Sequence, residues 1–303
     1  MIELIKSPRI DFLGKRYLAF AFSGILSLLG IIAIIQIARG HANLGIDFAG
    51  GTSIQLKFEK PVVLHTIRLT LENGGLRDFD LQDLPTENKI LIRMKKSEEE
   101  LGRVAEAITT ILSQKFSDNK YVIDSTTVIG PKVGGRLRTD AAKAIAVAVI
   151  GLLIYVAFRF QVRFGVGATI ATLHDVLAVL GLFFIMGKEI NLILVTALLT
   201  IAGYSLTDTV VVFDRIRENL RLKQKEDVQT VMNNSINEVL SRTIITSTTV
   251  LLTSLALFFF GGEVIHDFSL AMIMGVVVGT YSSIFVASPI VLLWGGKRPF
   301  AKK

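Results

Sequence analysis

The sequence predicts a polytopic α-helical membrane protein with six transmembrane helices and one α+β domain of ferredoxin-like βαββαβ order between helices 1 and 2. Three observations predict it. Over 303 residues the hydrophobic fraction is 51% and the mean hydropathy +0.55, too apolar for a water-soluble chain of this length. Six apolar runs approach or exceed the roughly 20 residues that a helix needs to cross the hydrocarbon core. The one long polar stretch switches between a period of two and a helical period, the mark of mixed strands and helices.

Residues 1–16 are a basic lead with Lys6, Arg9, Lys15 and Arg16, and the first span follows at 17–38. This span is longer than a signal-peptide core and lacks a small-residue cleavage site, so it is expected to remain as an anchor. The later spans are 141–158, 164–186, 190–213, 243–260 and 268–293. Lys143 falls near the end of the second, where its ammonium reaches the interface by snorkelling. Arg159 and Arg163 separate spans two and three, and Arg215, Arg217, Arg221, Lys223, Lys225 and Arg242 occupy the loop 214–242. Lys297, Arg298, Lys302 and Lys303 end the tail 294–303, whereas the short connections on the opposite side carry only Lys188. The positive-inside rule then puts both termini and the 214–242 loop in the cytoplasm, and the domain 39–139 outside. Trp294 sits where an interfacial aromatic is expected. The net charge of +7 belongs to these loops, because no basic patch interleaved with aromatics suggests a nucleic-acid surface. Without cysteine there is no disulfide, thiolate metal site or cysteine nucleophile.

In the domain, Thr52–Phe58 alternates as a half-buried strand, and Pro61 opens a helical stretch to Asn73 that Gly74 and Gly75 stop. Phe79–Leu84 and Ile90–Met94 read as strands around a Pro85–Thr86 turn. Ser97, with Glu100 three residues on, caps a second helix, and Tyr121–Ile129 is the closing strand. A fold that hosts so many activities names none of them.

Chemistry is sought among ionisable groups inside the spans, where they are costly. Asp208 is the sharpest candidate. Thr200, Tyr204 and Asp208 are spaced by four on one face of span four, with Thr207 beside them. Asp208 lies about five residues, roughly 7 Å of helix rise, from the cytoplasmic end, so a hydrated carboxylate or a static ion pair is the bland alternative. Arg242 opens span five on the same side and is expected to reach Asp208, with Thr246, Thr249 and Thr253 behind it as a helix-packing stripe. An arginine partner favours the charged carboxylate and desolvation the neutral one, so a pair that forms and breaks can take up and release a proton. His174 and Asp175 lie mid-span in helix three, about 100° apart around the axis, and are expected to serve different neighbours. Asp175 is either a second relay group or a structural hydrogen-bond partner, and His174 is read as packed and hydrogen-bonded. Gly275 and Gly279 permit a close helix approach in span six. The run Gly45-Ile46-Asp47-Phe48-Ala49-Gly50-Gly51 lacks the ending of a phosphate loop and precedes a strand, and no Walker, catalytic or metal motif is found.

Three stretches together resemble the SecF family: Gly45 to Gly51, Gly130-Pro131 to Gly134, and the run YSLTDTVVVFDRIREN from Tyr204 to Asn219 followed by Leu240-Ser241-Arg242-Thr243. The last is long and unusual, and it contains Asp214, Arg215 and Arg217 beside Asp208. The resemblance covers nearly the whole chain. It implies a subunit of the RND superfamily in the bacterial inner membrane that pairs with SecD and works beside the SecYEG channel. Such a subunit uses the proton motive force, with protons as the coupling ion and no cofactor, to draw unfolded preproteins out on the periplasmic side after the SecA ATPase has inserted them. It also implies that the family's intramembrane aspartate and arginine map onto Asp208 and Arg242, with a further aspartate supplied by SecD. The competing readings are an RND small-molecule exporter, which would need a second six-helix half, and a purely structural subunit. An intramembrane aspartyl protease built on Asp175 and Asp208 would need two carboxyls sharing one proton, and the usual Gly-x-Gly-Asp setting is absent.

Overall fold

The computed structural model describes residues 9–77, 79–84, 88–94, 101–117 and 119–295. In chain order the elements are α1 (Arg16–Ala38), α2 (Ile46–Ala49), β1 (Gly51–Phe58), α3 (Leu64–Asn73), β2 (Phe79–Leu84), β3 (Lys89–Met94), α4 (Leu101–Lys115) and β4 (Tyr121–Ile129). There follow α5 (Pro131–Arg159), α6 (Val162–Ile185), α7 (Leu192–Leu222), α8 (Val228–Phe260), α9 (Gly262–Ser282), a π-helical segment Ser283–Ala287, and α10 (Ser288–Gly295). The chain divides into two compact units, Leu44–Lys143 and a second formed by Met1–Asn43 with Ala144–Lys303.

The first unit is the βαββαβ domain. Its antiparallel sheet has the order β2-β3-β1-β4, and Ile54 of β1 stands between Ile92 of β3 and Thr126 of β4. Alternation along β1 buries Ile54, Leu56 and Phe58 against Ile67 and Leu71 of α3 and Ile108 and Leu112 of α4. Each such aliphatic side chain contributes about 1.5–3 kcal/mol when fully withdrawn from water. Helix α3 begins at Leu64 rather than Pro61, because Val63 is still extended at ψ 126°. It stops where expected: the Leu76 amide bonds the Leu71 carbonyl at 3.0 Å, and Gly75 turns at φ +88°. The Pro85–Thr86 turn and the Ser97–Glu100 cap fall outside the described residues.

Two glycine motifs that the sequence presents separately meet in this unit. After the single turn α2, Gly50 reverses the chain at φ +77°, where a Cβ would lie 2.9 Å from the Pro131 Cα. A Cβ on Gly134 would lie 2.9 Å from the Gly50 nitrogen. Pro131 opens α5, a position where its missing amide costs nothing. The helix therefore starts ten residues before the apolar run, with Lys143 inside it and 3.3 Å from Asp140.

The second unit holds, whole or in part, the described helices long and apolar enough to cross a membrane: α1, α5 (from Ala144 on), α6, α7, α8 and the sixth helical run, of which α6, α7 and the sixth are the most buried. Helices α1 and α6 nearly touch, since a Cβ on Gly181 would stand 2.6 Å from the Gly30 nitrogen. A Cβ on Gly275 would meet Ile201 at 2.4 Å and one on Gly279 would meet Ser205 at 3.2 Å, so the small-residue pair in the sixth span does seat α9 on α7.

One expectation is corrected here. The stretch 214–242 is not an open loop: α7 continues to Leu222 and α8 starts at Val228. Polar side chains extend the helices past the apolar runs. Asn219 donates to Ser235 at 2.9 Å and to Glu238 at 2.8 Å, Arg215 reaches Glu238 at 2.6 Å, and Asp227 caps α8 through the Thr230 amide at 3.1 Å. Asn233 and Asn237 of α8 also grip the backbone of Ile10, Phe12 and Leu13. The sixth span is present as expected, and within it the helix passes through the π segment after Ser282. Lys6 and the lysines and arginine of the tail lie outside the described residues, and Trp294 is exposed.

Candidate functional site

Helix α7 carries Asp208 into the unit's interior, where the side chain is only 8% exposed. A buried carboxylate needs donors. Ser283, first residue of the π segment, donates to Asp208 Oδ2 at 2.6 Å. Thr243 of α8 faces the same carboxyl, but its buried hydroxyl has no hydrogen-bond partner. Arg242 is exposed, and among the described residues no ion pair within 4.0 Å joins it to Asp208. Instead it lines an open groove of about 500 Å³ with Asp214, Arg215, Glu218 and Glu238. Among the described residues, the two residues expected to pair therefore stand unpaired with each other.

Asp175 is completely buried. Its Oδ2 accepts from Ser205 of α7 and from Ser282 of α9, the latter at 2.7 Å, and its Oδ1 lies 2.9 Å from His174 Nδ1. The expectation that His174 and Asp175 serve different neighbours is wrong. Both side chains are buried, and hydrogen bonding between the neighbouring imidazole and carboxyl satisfies a polar atom of each away from water. His174 Nε2 has no hydrogen-bond partner among the described residues. Asp175 and Asp208 take their hydrogen bonds from different serines, and no direct bond joins them among the described residues, so they do not form a proton-sharing aspartyl dyad.

The predicted polar face of α7 divides. Tyr204 donates to Ser247 of α8 at 3.0 Å, and Ser247 lies 2.7 Å from Thr280 of α9. Thr200 and Thr207 are exposed and bond their own helix, at the carbonyls of Thr196 and Gly203. Thr246, Thr249 and Thr253 do the same on α8, also with exposed side chains. Asp214, Arg215 and Arg217 form ties at the helix ends: Arg159 and Arg217 both reach Asp214, at 2.5 and 3.7 Å, and Arg215 bridges Glu218 and Glu238. Gly50, Pro131 and Gly134 make the glycine contact of the first unit, while Gly45 precedes α2, Asp47 lies in its first turn, Gly51 begins β1 and the Gly130 carbonyl accepts from the Gly134 amide at 3.0 Å. Sequence reasoning missed Ser205, Ser247, Thr280, Ser282 and Ser283. The available signal was the adjacent pair Ser282-Ser283 in the middle of an apolar run.

Residues 108–297 match the family described as protein export membrane protein SecD/SecF, C-terminal, and residues 42–62 match the SecD/SecF GG motif. This chain belongs to the SecD/SecF family of protein-export membrane proteins. Among similar proteins, protein translocase subunit SecF of Thermodesulfovibrio yellowstonii is 58% identical over 297 residues, covering 97% of this chain and 98% of that one. The SecF subunit of Endomicrobium trichonymphae is 43% identical over 294 residues, covering 97% and 94%. Among solved structures, the translocon-associated membrane protein SecDF of Thermus thermophilus matches with a TM-score of 0.81 and 38% identity, over 95% of this chain and 39% of that chain. SecDF in a super-membrane-facing form matches with a TM-score of 0.69 and 38% identity, over 96% and 39%. The chain therefore spans the full length of the SecF relatives but well under half of each SecDF chain. On these grounds it is a SecF-type membrane subunit of the protein translocase, and the GG motif of the family is the turn that packs on Gly134.

Proposed function

We propose that this SecF-type chain couples the proton motive force to preprotein export, with Asp208 as the proton-carrying carboxylate and Arg242 as its alternating counter-charge. One observation supports this most: a carboxylate buried in a membrane helix that accepts from the Ser283 hydroxyl, with Arg242 exposed in a polar groove and no ion pair between the two among the described residues. A static ion pair would be closed, and a hydrated surface carboxylate would not be buried. The open arrangement leaves two stations for the carboxylate. Facing Ser283 it can hold or release a proton, and facing Arg242 it is stabilised as the anion. Exchange between the stations moves α7, the π segment and α8 against one another.

The partner in this reading is a SecD-type chain. Inside the spans Thr196, Thr200, Gly203 and Thr207 of α7 and Thr246, Thr249 and Thr253 of α8 expose small and polar groups, which lipid covers poorly and a partner helix covers well. The SecDF chains, of which this chain spans 39%, have room for such a half. That partner would supply a further aspartate to the site. We place the chain in the bacterial inner membrane with both termini cytoplasmic and the βαββαβ domain periplasmic, working beside SecYEG on unfolded preprotein that SecA has inserted with ATP. A small-molecule exporter has no separate observation in its favour.

The test replaces Asp208 with asparagine and follows export of a secreted reporter into energised inner-membrane vesicles, with ATP present and the gradient intact or collapsed. The expected result is loss of the gradient-dependent fraction alone, at normal membrane levels and normal assembly with SecD. Full gradient dependence in the D208N vesicles would falsify the reading and leave a structural subunit.

A further inference from the structure

Two serines adjacent in sequence bind two different buried carboxylates. Ser282, the last residue of α9, donates to Asp175 at 2.7 Å, and Ser283, the first residue of the π segment, donates to Asp208 at 2.6 Å. Both serines are fully buried, as is Ser288, whose hydroxyl donates to the Ser283 carbonyl at 3.0 Å across the π turn. Asp175 holds more than Ser282. Its second contact, with Ser205, reaches α7 one turn before Asp208, at the level where Gly279 lets α9 come close. The groups that face Asp208 are Ser283 from the sixth span, Thr243 and Arg242 from α8, Tyr204 from its own helix, and Asp175 from α6.

We propose that the α-to-π junction at Ser282–Ser283 links the two carboxylates mechanically, with Asp175 a positioning residue that pins Ser282 and so holds Ser283 against Asp208. The physical argument is one of register. A π turn is an α-helix with one residue inserted, a local arrangement less stable than α and kept only where surrounding contacts over-determine it. Releasing the insertion rotates the helix on one side of the junction by about 100° relative to the other. Ser283 sits on the junction, so such a rotation carries its hydroxyl off Asp208. The tie from Asp175 to Ser282 fixes the α side of the junction, and the Ser288 hydroxyl fixes the π side. Asp175 touches neither Asp208 nor the arginine directly, so its effect travels through the helix it pins. This assigns it the positioning role rather than that of a second proton carrier, and it deepens the reading of Asp208 as the coupling group, on which its functional consequence rests.

The experiment has a structural arm and a functional arm, both on the full chain assembled with its SecD partner. In the structural arm, thermal midpoints are measured for Asp175→Asn, Asp208→Asn and the double variant, in the native background and again with Ser282→Ala. The expected result is a double variant that falls by less than the sum of its parts, with the two exchanges becoming additive once Ser282 is alanine. Additivity in the native background overturns the link, whatever export does. In the functional arm, the pH at half-maximal gradient-dependent export is compared for the native chain, Ser282→Ala and Ser269→Ala. Ser269 is an equally buried serine of α9 whose hydroxyl bonds only its own helix, at the Ile265 carbonyl. Ser282→Ala is expected to move that profile and Ser269→Ala to leave it in place. Coincident profiles overturn the proposal, since simple loss of a buried hydroxyl would affect both. Failure of Asp208 as the proton carrier shows up separately, as unaltered gradient dependence in the Asp208→Asn chain, while the thermal cycle still decides the link.

Discussion

At Asp208 and Arg242 the physics is set by two unlike groups: a carboxylate that can lose its charge and a guanidinium that cannot. The arginine supplies a permanent charge on a planar fork, which can bind a carboxylate through two parallel bonds. Lysine keeps the charge but not the fork. Arg242→Lys is therefore expected to lower gradient-dependent export about ten- to hundredfold, the equivalent of one charge-assisted hydrogen bond of about 1.5–3 kcal/mol. Arg242→Gln should remove that fraction altogether. ATP-only export in the same vesicles checks that the channel is intact, and equal gradient dependence in the lysine and native chains would count against a forked pairing. Asp208 was legible in the sequence because nothing else explains a carboxylate in that run. Its partner was not. Serine is tolerated in apolar helices, bonds its own backbone readily, and so carries no signal of its own; only the fold reveals that Ser205, Ser282 and Ser283 point at carboxylates.

At the scale of helices, the close crossing of α1 and α6 rests on two glycines. A Cβ on Gly30 would lie 2.2 Å from the Leu177 carbonyl oxygen, and one on Gly181 would lie 2.6 Å from the Gly30 nitrogen. Neither obstacle is a side chain that can swing away. Gly181→Ala should cost about 1–3 kcal/mol by overpacking, seen as a lower thermal midpoint in detergent. Gly151→Ala, with open space around its Cβ, should hold or slightly raise the midpoint. Matching midpoints for the two variants would show that the helices part without strain. The existence of the spans was readable because the bilayer imposes length and apolarity on every crossing helix. Their ends were less so. Hydropathy marks where a helix stops being apolar, not where it stops being helical, and Pro131, Asn219 and Asp227 extend or cap helices well beyond the apolar runs. The π segment leaves no periodic trace, being a local offset of one residue in a run that is apolar all round.

For the molecule as a whole, the telling feature is what the membrane unit leaves uncovered. A single chain of this kind has lipid-facing surfaces of two sorts. Helices α1 and α5 expose Leu18, Phe22, Ile25, Val147, Ile150 and Phe158, side chains at home in hydrocarbon. Helices α7 and α8 expose threonines and Gly203 among apolar side chains such as Leu252 and Phe259. Since lipid is as apolar as leucine, the first surface gains little by being covered, and the second gains close packing. Gly203 separates assembly from folding. A Cβ there meets nothing within 4 Å, so Gly203→Leu should leave the thermal midpoint of the isolated chain unchanged or slightly higher, from helix propensity. If α7 is the face a SecD partner occupies, the same leucine blocks the approach of a helix, and co-purification with SecD should fall at least tenfold. Gly24, exposed on α1 with equal room around it, provides the matched control, and Gly24→Leu should assemble normally. Because the chain has no cysteine, single cysteines at Thr200 and at Val147 can be crosslinked to the partner without background. Crosslinking from Thr200 and not from Val147 is the expected pattern; the reverse pattern, with assembly of Gly203→Leu intact, would move the partner to the α5 side and leave the threonine stripes to a water-filled crevice.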